Sequence, residues 1–159
     1  DGGALRDLGV YNLHFVTGLF GMPEKTFICA QHGDNQVDLG ETVILQWPQM
    51  HAVLTSAKNC SAPNSVLIEG EKGTLMVNSS PGRVQNLRFI PLKGDMIGKK
   101  DTDASEDAGI RQLDNHMVYE VQEFQRILDE NDEKSYQAAR DQTMLVMQLL
   151  EQLERQHRS

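Results

Sequence analysis

The spacing of hydrophobic positions changes twice along the chain. From Ala4 to Phe20 apolar residues recur every three or four positions, which is typical of an amphipathic helix. From Lys25 to about Pro91 the spacing falls to two, which is typical of half-buried strands. After Asn115 the helical spacing returns. The pattern therefore predicts one helix, then a set of strands, then a second helical region.

The first helix has a clear end in the sequence. A glycine at Gly21 followed by Pro23 supplies a C-terminal cap and a stop. The apolar residues of its stripe are Leu5, Leu8, Leu13, Val16, Leu19 and Phe20.

Short runs rich in β-forming residues make up the middle of the chain. Their separators are brief and carry turn residues, so consecutive strands are expected to pair as an antiparallel meander. No helical crossover fits between them, which excludes a parallel sheet. The six predicted strands are 25–31, 41–47, 51–57, 65–70, 73–79 and 84–90.

A polar stretch, Gly98–Gly109, separates the strands from the last helices and predicts an exposed loop. One helix is predicted from Asn115 and another from Ser135 to about His157, with Asn115 and Ser135 as N-caps. The first carries an apolar stripe of Val118, Val121, Phe124 and Leu128. In the second, five side chains are expected to point toward the core: Ala139, Val146, Leu149, Leu150 and Leu153.

This order of elements predicts an α+β fold, a mostly antiparallel open sheet with the helices packed on one face, as a single domain over residues 1–159. Alternation in the second strand sends Val43, Leu45 and Trp47 to one side. The opposite side, with Ile44 between Thr42 and Gln46, is mixed in polarity. Such a face is a candidate subunit interface. The alternative is a solvated face with scattered apolar residues.

Charge and composition narrow the classes of function. The 159 residues carry a formal charge of -8, which repels phosphate backbones and argues against a nucleic-acid partner. No run of about 18 apolar residues indicates a membrane span, and no signal peptide begins the chain, so a cytoplasmic protein is expected. Cys29 and Cys60 lack the spacing of a metal site and are expected to be free thiols.

Three groups with chemical potential share one face of the first helix. Asp7, Tyr11 and His14 stand at positions i, i+4 and i+7, so their side chains stack along that face. Each residue also has a purely structural interpretation. Asp7 stabilises the start of the helix through the helix dipole, Tyr11 is half-buried and His14 is solvated.

Several segments together resemble a known family. They are "GGALRDLGVYNLHFVTGLFG", "ETVILQWP", "IEGEKGTLMV", "YEVQEFQRILDE" and "ARDQTMLVMQLLEQLERQ". In this order they are similar to the C-terminal domain of the glucose-fructose oxidoreductase and inositol dehydrogenase (Gfo/Idh/MocA) family, especially its dimeric dihydrodiol dehydrogenase branch. The resemblance covers essentially the whole chain.

The resemblance implies roles for the helix face. In that family an Asp is followed four residues later by His or Tyr, which exchanges a proton with the substrate. Asp7 and Tyr11 occupy those positions as catalytic residues, and His14 either contacts substrate or is solvated. The implied substrate is a sugar, polyol or cyclic diol, with NAD or NADP as cofactor and a homodimer or larger assembly formed through the sheet face. An unperturbed tyrosine titrates at about pH 10, so it needs a nearby cation to work near neutral pH. In the family that cation is the lysine of a Glu-Lys-Pro motif in a preceding Rossmann domain.

The cofactor motifs of the family are missing from these residues. No Gly-x-Gly-x-x-Gly opens a helix after a strand, so NAD or NADP is expected to bind mainly to an N-terminal domain absent from this chain. Lys25 lacks the proline of the lysine motif, and "GEKGT" joins two strands and predicts a hairpin turn. Two hypotheses remain: the substrate-binding domain of an oxidoreductase, inactive in isolation, or a non-catalytic assembly module. The retained Asp7 and Tyr11 favour the first.

Overall fold

The elements follow the order predicted from the sequence. The computed structural model describes residues 2–84, 86–92, 106–107, 109, 115 and 117–157. A π-helical turn, Leu5–Gly9, here called the π-turn, runs directly into helix α1, Val10–Phe20. The strands are β1 Lys25–His32, β2 Asp38–Gln46, β3 His51–Ala57, β4 Val66–Gly70, β5 Gly73–Val77, β6 Arg88–Pro91 and β7 Glu106–Asp107. Helices α2, Met117–Asp129, and α3, Glu133–His157, come last. The α+β class is confirmed.

The residues group into two compact units. The first contains residues 1–61 and 125–159, and the second contains residues 62–124. The sheets follow the same division, because β1-β2-β3 form one sheet and β4-β5-β6-β7 form another. The expectation of a single six-stranded meander was therefore wrong, since β3 and β4 do not pair. That all 159 residues act as one domain stays a prediction.

The first unit packs two helices on one face of its antiparallel sheet. Val43 lies opposite Ile28 of β1 and Leu54 of β3. Val43, Leu45 and Trp47 alternate onto the face that packs against the helices, as predicted. The buried core is Leu5, Leu13, Val16, Val43, Leu45, Trp47, Val146, Leu149, Leu150 and Leu153. Ala139 was predicted to point inward but is exposed, because the buried core residues of α3 begin only at Val146.

The other face of this sheet carries an apolar row. Phe27 of β1, Ile44 of β2 and Val53 of β3 lie directly opposite one another. Their side chains are 55%, 39% and 58% exposed. The mixed outer face predicted from the sequence is therefore present, with its apolar residues aligned rather than scattered.

The second unit is an antiparallel sheet in chain order. Strands β4 and β5 meet in a tight turn at which Gly70 pairs with Gly73. Gly73 has φ +150°, and a Cβ there would collide with the carbonyl oxygen of Ile90. The "GEKGT" stretch is thus the predicted hairpin turn. Strand β7 falls inside the stretch predicted as an exposed loop, and residues 98–105 of that stretch lie outside the described residues.

Helix caps agree with the sequence at one position and differ at another. The Asn115 side chain accepts a hydrogen bond from the Met117 N–H at 3.1 Å, as predicted for an N-cap. Helix α3 begins earlier than predicted, with Asp132 rather than Ser135 as its cap. The Ser135 hydroxyl and N–H donate to Asp132, and with Arg126 they lower the pKa of that carboxyl to about 2.

The apolar stripe of α2 is exposed. Val121, Phe124 and Leu128 are 60%, 65% and 59% exposed, so the helical period was predicted correctly while no described residue of α2 is buried. In the described part of the chain no helix is both long and apolar enough to span a membrane. Cys29 and Cys60 are exposed free thiols, as predicted.

Candidate active site

The three candidate residues lie on consecutive turns of the first helix. Asp7 belongs to the π-turn, whereas Tyr11 and His14 belong to α1. All three are exposed, with Tyr11 at 58%. The Tyr11 hydroxyl makes no hydrogen bond with any residue that the structure describes. The three side chains are therefore accessible to solvent.

A lysine that sequence reasoning missed lies beside Asp7. Lys58 Nζ is 2.8 Å from the Asp7 carboxylate and also donates a hydrogen bond to the Gly2 carbonyl oxygen. Lys58 follows directly after β3, so the end of that strand supplies a cation to the candidate helix face. No signal in the sequence links two positions so far apart.

Further side chains of the sheet hold the π-turn. The Asp38 carboxylate accepts a hydrogen bond from the Leu5 N–H at 2.7 Å, which satisfies one donor at the start of the helix. Glu41 accepts a hydrogen bond from the Ser56 hydroxyl beneath Gly9. The start of the helix is therefore seated on polar groups of β2 and β3.

Glu41 is the buried ionisable group of this region. Its side chain belongs to a residue only 6% exposed. Burial raises the pKa of the Glu41 carboxyl to about 7, with a further increase from Asp38 that opposes the hydrogen bond from Ser56. Alternation with Val43 and Leu45 would have placed Glu41 on the buried face, but its residue type concealed this position.

An ion pair joins the π-turn to α3. The Arg6 guanidinium makes two hydrogen bonds to Glu154, one of them 2.9 Å between Nη2 and Oε2. Further along, Gln142 Nε2 donates to the Thr17 hydroxyl at 2.8 Å. Both contacts fix the candidate helix against α3, so it is held at two points along the same neighbour.

A shallow depression of about 390 Å³ lies at the turn between β2 and β3. Its lining residues are Ile44, Gln46, Trp47, Pro48, Gln49, Met50 and His51. Trp47 packs edge-on against Phe20 at the end of α1, with ring centroids 6.1 Å apart. The lining does not include Asp7, Tyr11 or His14, so this depression is separate from the candidate residues.

The described residues do not fit the phosphates of a dinucleotide. A helix N-terminus binds phosphate through free N–H groups, but at the start of the first helix, of α2 and of α3 a side chain already accepts a hydrogen bond from one backbone N–H. Asp38 and Asp132 do so with carboxylates, which repel phosphate, and Asn115 caps α2. The glycine turn at Gly73 serves close backbone packing. Among the described residues there is also no group of three or more His, Cys, Asp or Glu suited to a metal ion.

The N-terminal part of the chain matches a known protein family. Residues 1–76 match the family model described as the GFO/IDH/MocA C-terminal domain. The resemblance to the GFO/IDH/MocA C-terminal domain is thereby confirmed. The matched residues include Asp7, Tyr11 and His14.

Relatives of this domain include named dehydrogenases. The Bacillus subtilis scyllo-inositol 2-dehydrogenase (NADP(+)) IolU is 26% identical over 156 residues, which is 97% of this chain and 44% of that protein. The trans-1,2-dihydrobenzene-1,2-diol dehydrogenase of Bos taurus is 39% identical over 75 residues, 45% of this chain and 22% of that protein. The chain thus spans less than half the length of these relatives.

Solved structures share the fold of this chain. The Bacillus subtilis protein yvaA superimposes with a TM-score of 0.70 at 16% identity, covering 99% of this chain and 51% of that one. A Bacteroides fragilis protein gives 0.69 at 15% identity, covering 100% and 52%. At such identity the likeness concerns the fold alone.

Proposed function

We propose that this chain is the substrate-binding and proton-transfer part of an NAD(P)-dependent oxidoreductase that interconverts an alcohol and a carbonyl on a sugar, polyol or cyclic diol. One observation carries the proposal. The Tyr11 hydroxyl stands exposed on the turn after Asp7, within the residues that match the GFO/IDH/MocA C-terminal domain. The names of the relatives, an inositol and a dihydrodiol dehydrogenase, support this substrate class.

Tyr11 is the residue assigned to proton transfer. Oxidation of an alcohol needs a base for the hydroxyl proton, and the reverse reaction needs an acid. A tyrosine hydroxyl can serve both steps when a cation or a hydrogen-bond donor stabilises its ionised form. Asp7 is assigned to the adjacent turn, where it binds a substrate hydroxyl or orients the tyrosine. His14, one turn beyond, is assigned to substrate contact.

Lys58 adds a cation to this assignment. Its ion pair with Asp7 partly neutralises the carboxylate of the turn before Tyr11. The ion pair also fixes the direction of the Asp7 carboxylate. Lys58 is thus expected to support the reaction without contacting the transferred proton.

The nicotinamide cofactor is assigned to residues outside those described. It supplies hydride chemistry when bound, whereas this chain binds and orients the substrate and moves its proton. Calorimetric titration of this chain with NAD or NADP is expected to give no binding in the micromolar range. Micromolar binding of either cofactor would contradict this assignment.

An assembly role is the second candidate, and a specific observation favours it as an accompanying function. The apolar row of Phe27, Ile44 and Val53 crosses the whole outer face of the three-stranded sheet. An aligned exposed row of this kind suits association with a second copy. A homodimer or larger assembly through this face, in the cytoplasm, completes the proposal.

The deciding experiment is turnover of the complete oxidoreductase with Tyr11→Phe, assayed with both cofactors and a panel of polyols and diols. Loss of turnover with retained substrate binding supports the enzyme. Unchanged turnover, or no activity of the unmodified protein on any such alcohol, favours the assembly module alone.

A further inference from the structure

The backbone of the π-turn lies against the sheet at Gly9, where there is no room for a side chain. A Cβ added there would lie 2.8 Å from Glu41 Oε1 and 3.4 Å from Ser56 Oγ. Gly9 is buried and is the last residue of the turn, directly between Asp7 and Tyr11 in the chain. The Glu41–Ser56 pair is therefore the surface on which this part of the helix rests.

The environment of Glu41 favours its neutral form. Its Oε2 is buried and has no hydrogen-bond partner among the residues that the structure describes. An ionised carboxylate in that position would leave a charge without compensation, which is costly in a buried site. The raised pKa of the Glu41 carboxyl has the same cause, namely burial.

Asp38 on β2 is the charged group shown to act on Glu41, and it raises the pKa of that carboxyl. The cations of the neighbouring elements already have partners: Arg6 of the π-turn is paired with Glu154, and Lys58 after β3 is paired with Asp7. No described cation is shown paired with Glu41 itself, so ionisation of Glu41 would add a second negative charge beside Asp38.

We propose that Glu41 is a positioning residue: in its neutral form, hydrogen-bonded to Ser56, it seats the π-turn through Gly9 and so fixes the directions of Asp7 and Tyr11. When Glu41 ionises, the buried charge must be solvated, and water can reach it only if the overlying turn moves away. The seating thus weakens as Glu41 loses its proton. The importance of this device for catalysis rests on the proposed function, whereas the seating is a property of this chain alone.

The test follows backbone amide signals of the full chain by ¹⁵N NMR from about pH 5 to about pH 9, the range that brackets the Glu41 titration. Wild-type signals of Leu8, Gly9 and Tyr11 are expected to shift together around the pH at which Glu41 titrates. Glu41→Gln keeps the shape and the hydrogen bond but cannot ionise, so these signals should keep their low-pH positions throughout.

Two further variants exclude other origins of the titration. His14→Gln removes the imidazole of the same helix and must leave the titration of Leu8 and Gly9 in place. Glu71 is exposed in the turn between β4 and β5, and Glu71→Gln serves as the matched control for loss of a carboxylate.

Removal of the side chain gives the opposite result to the conservative change. Below about pH 7, where Glu41 is neutral, Glu41→Ala is expected to raise amide hydrogen exchange in the π-turn by about tenfold, whereas Glu41→Gln keeps the wild-type protection. Signals that titrate equally in wild type and Glu41→Gln, or that do not titrate in wild type, overturn the proposal. These spectra require no activity, so this failure is distinct from retained turnover of Tyr11→Phe, which would overturn the proposed function instead.

Discussion

Lys58 Nζ lies 2.8 Å from the carboxylate of Asp7 and ties the residue after strand β3 to the turn that begins the candidate helix. The same ammonium donates to the Gly2 carbonyl oxygen, so one cation contacts both the backbone at Gly2 and the acidic residue of the candidate site. Its side chain is 32% exposed and that of Asp7 is 61% exposed. The pair is therefore positioned to affect activity more than stability.

Lys58→Met should separate these two effects. Exposed ion pairs contribute about 0–1 kcal/mol to the free energy of unfolding, so the melting temperature should change little. Turnover of the complete oxidoreductase should fall by about tenfold or more, because Asp7 loses its partner. Lys72→Met, in the exposed turn between β4 and β5, is the control. Equal turnover in the two variants would show that Lys58 has no role in the candidate site.

Tyr11→Phe deletes only the hydroxyl. Because this residue is assigned to acid and base chemistry, turnover should fall by roughly 10² to 10⁴ while substrate binding changes much less. Tyr136→Phe removes an equally exposed hydroxyl, 53% exposed, from α3 and should leave turnover unchanged. Steady-state kinetics across pH measure both. A Tyr11→Phe protein with more than about half of wild-type turnover at every pH would contradict the assignment.

Glu41 makes the free energy of unfolding fall as pH rises. Its pKa is raised from 4.5 to about 7 in the folded chain, mainly by burial, so the folded state holds a proton that the unfolded state releases. The resulting stability is fully present below about pH 4.5 and is lost as pH rises through about 7. Since one pKa unit corresponds to about 1.4 kcal/mol, the fall amounts to a few kcal/mol at most.

Urea unfolding of wild type and Glu41→Gln at a series of pH values measures this fall. The difference between their unfolding free energies should vary with pH only in that window. Asp132, whose pKa is lowered, contributes in the opposite sense at acidic pH and cancels in the difference. A difference that stays flat between about pH 4.5 and pH 7 would mean that Glu41 is not buried as described.

Two glycines of the first helix should respond oppositely to alanine. At Gly9 the new methyl group would lie 2.8 Å from Glu41 Oε1 and 3.2 Å from Leu5 Cδ1, so Gly9→Ala should destabilise the chain by about 1–3 kcal/mol. At Gly18 the nearest atom is Gln142 Nε2 at 3.9 Å. Gly18→Ala should therefore stabilise by about 0.5–1 kcal/mol through helix propensity. Chemical denaturation compares them, and equal effects would show that Gly9 is not tightly packed.

The apolar row on the sheet predicts self-association. The wild-type chain should sediment as a dimer or larger species at roughly tens of micromolar, and Val53→Lys should give monomers because it buries a charge in the interface. Leu67→Lys changes a side chain of similar exposure, 57%, on β4 and should leave association intact. A monomeric wild-type chain would show that the apolar row does not mediate self-association.

The spacing of hydrophobic residues was sufficient to predict the elements that bury a single apolar face. Spacing predicted the first helix and the burial of Val43, Leu45 and Trp47, because hydrophobic burial depends on side-chain type and direction. It also predicted the burial of four residues of α3, which are Val146, Leu149, Leu150 and Leu153. The hairpin at Gly73 follows from local turn chemistry. Sequence likewise placed Asp7, Tyr11 and His14 on one exposed face, since their spacing is a local property of the helix.

Tertiary contacts determined the features that the spacing of residues could not predict. The exposed stripe of α2 shows that a helical period fixes a face but not its partner, and the pairing of strands into two sheets depends on the path between Ala57 and Val66. Lys58 reaches Asp7, and Glu41 lies under Gly9, only because β2 and β3 pass beneath the helix. Charged residues are expected at the surface from sequence, so the burial of Glu41 and the shift of its pKa arise solely from the fold.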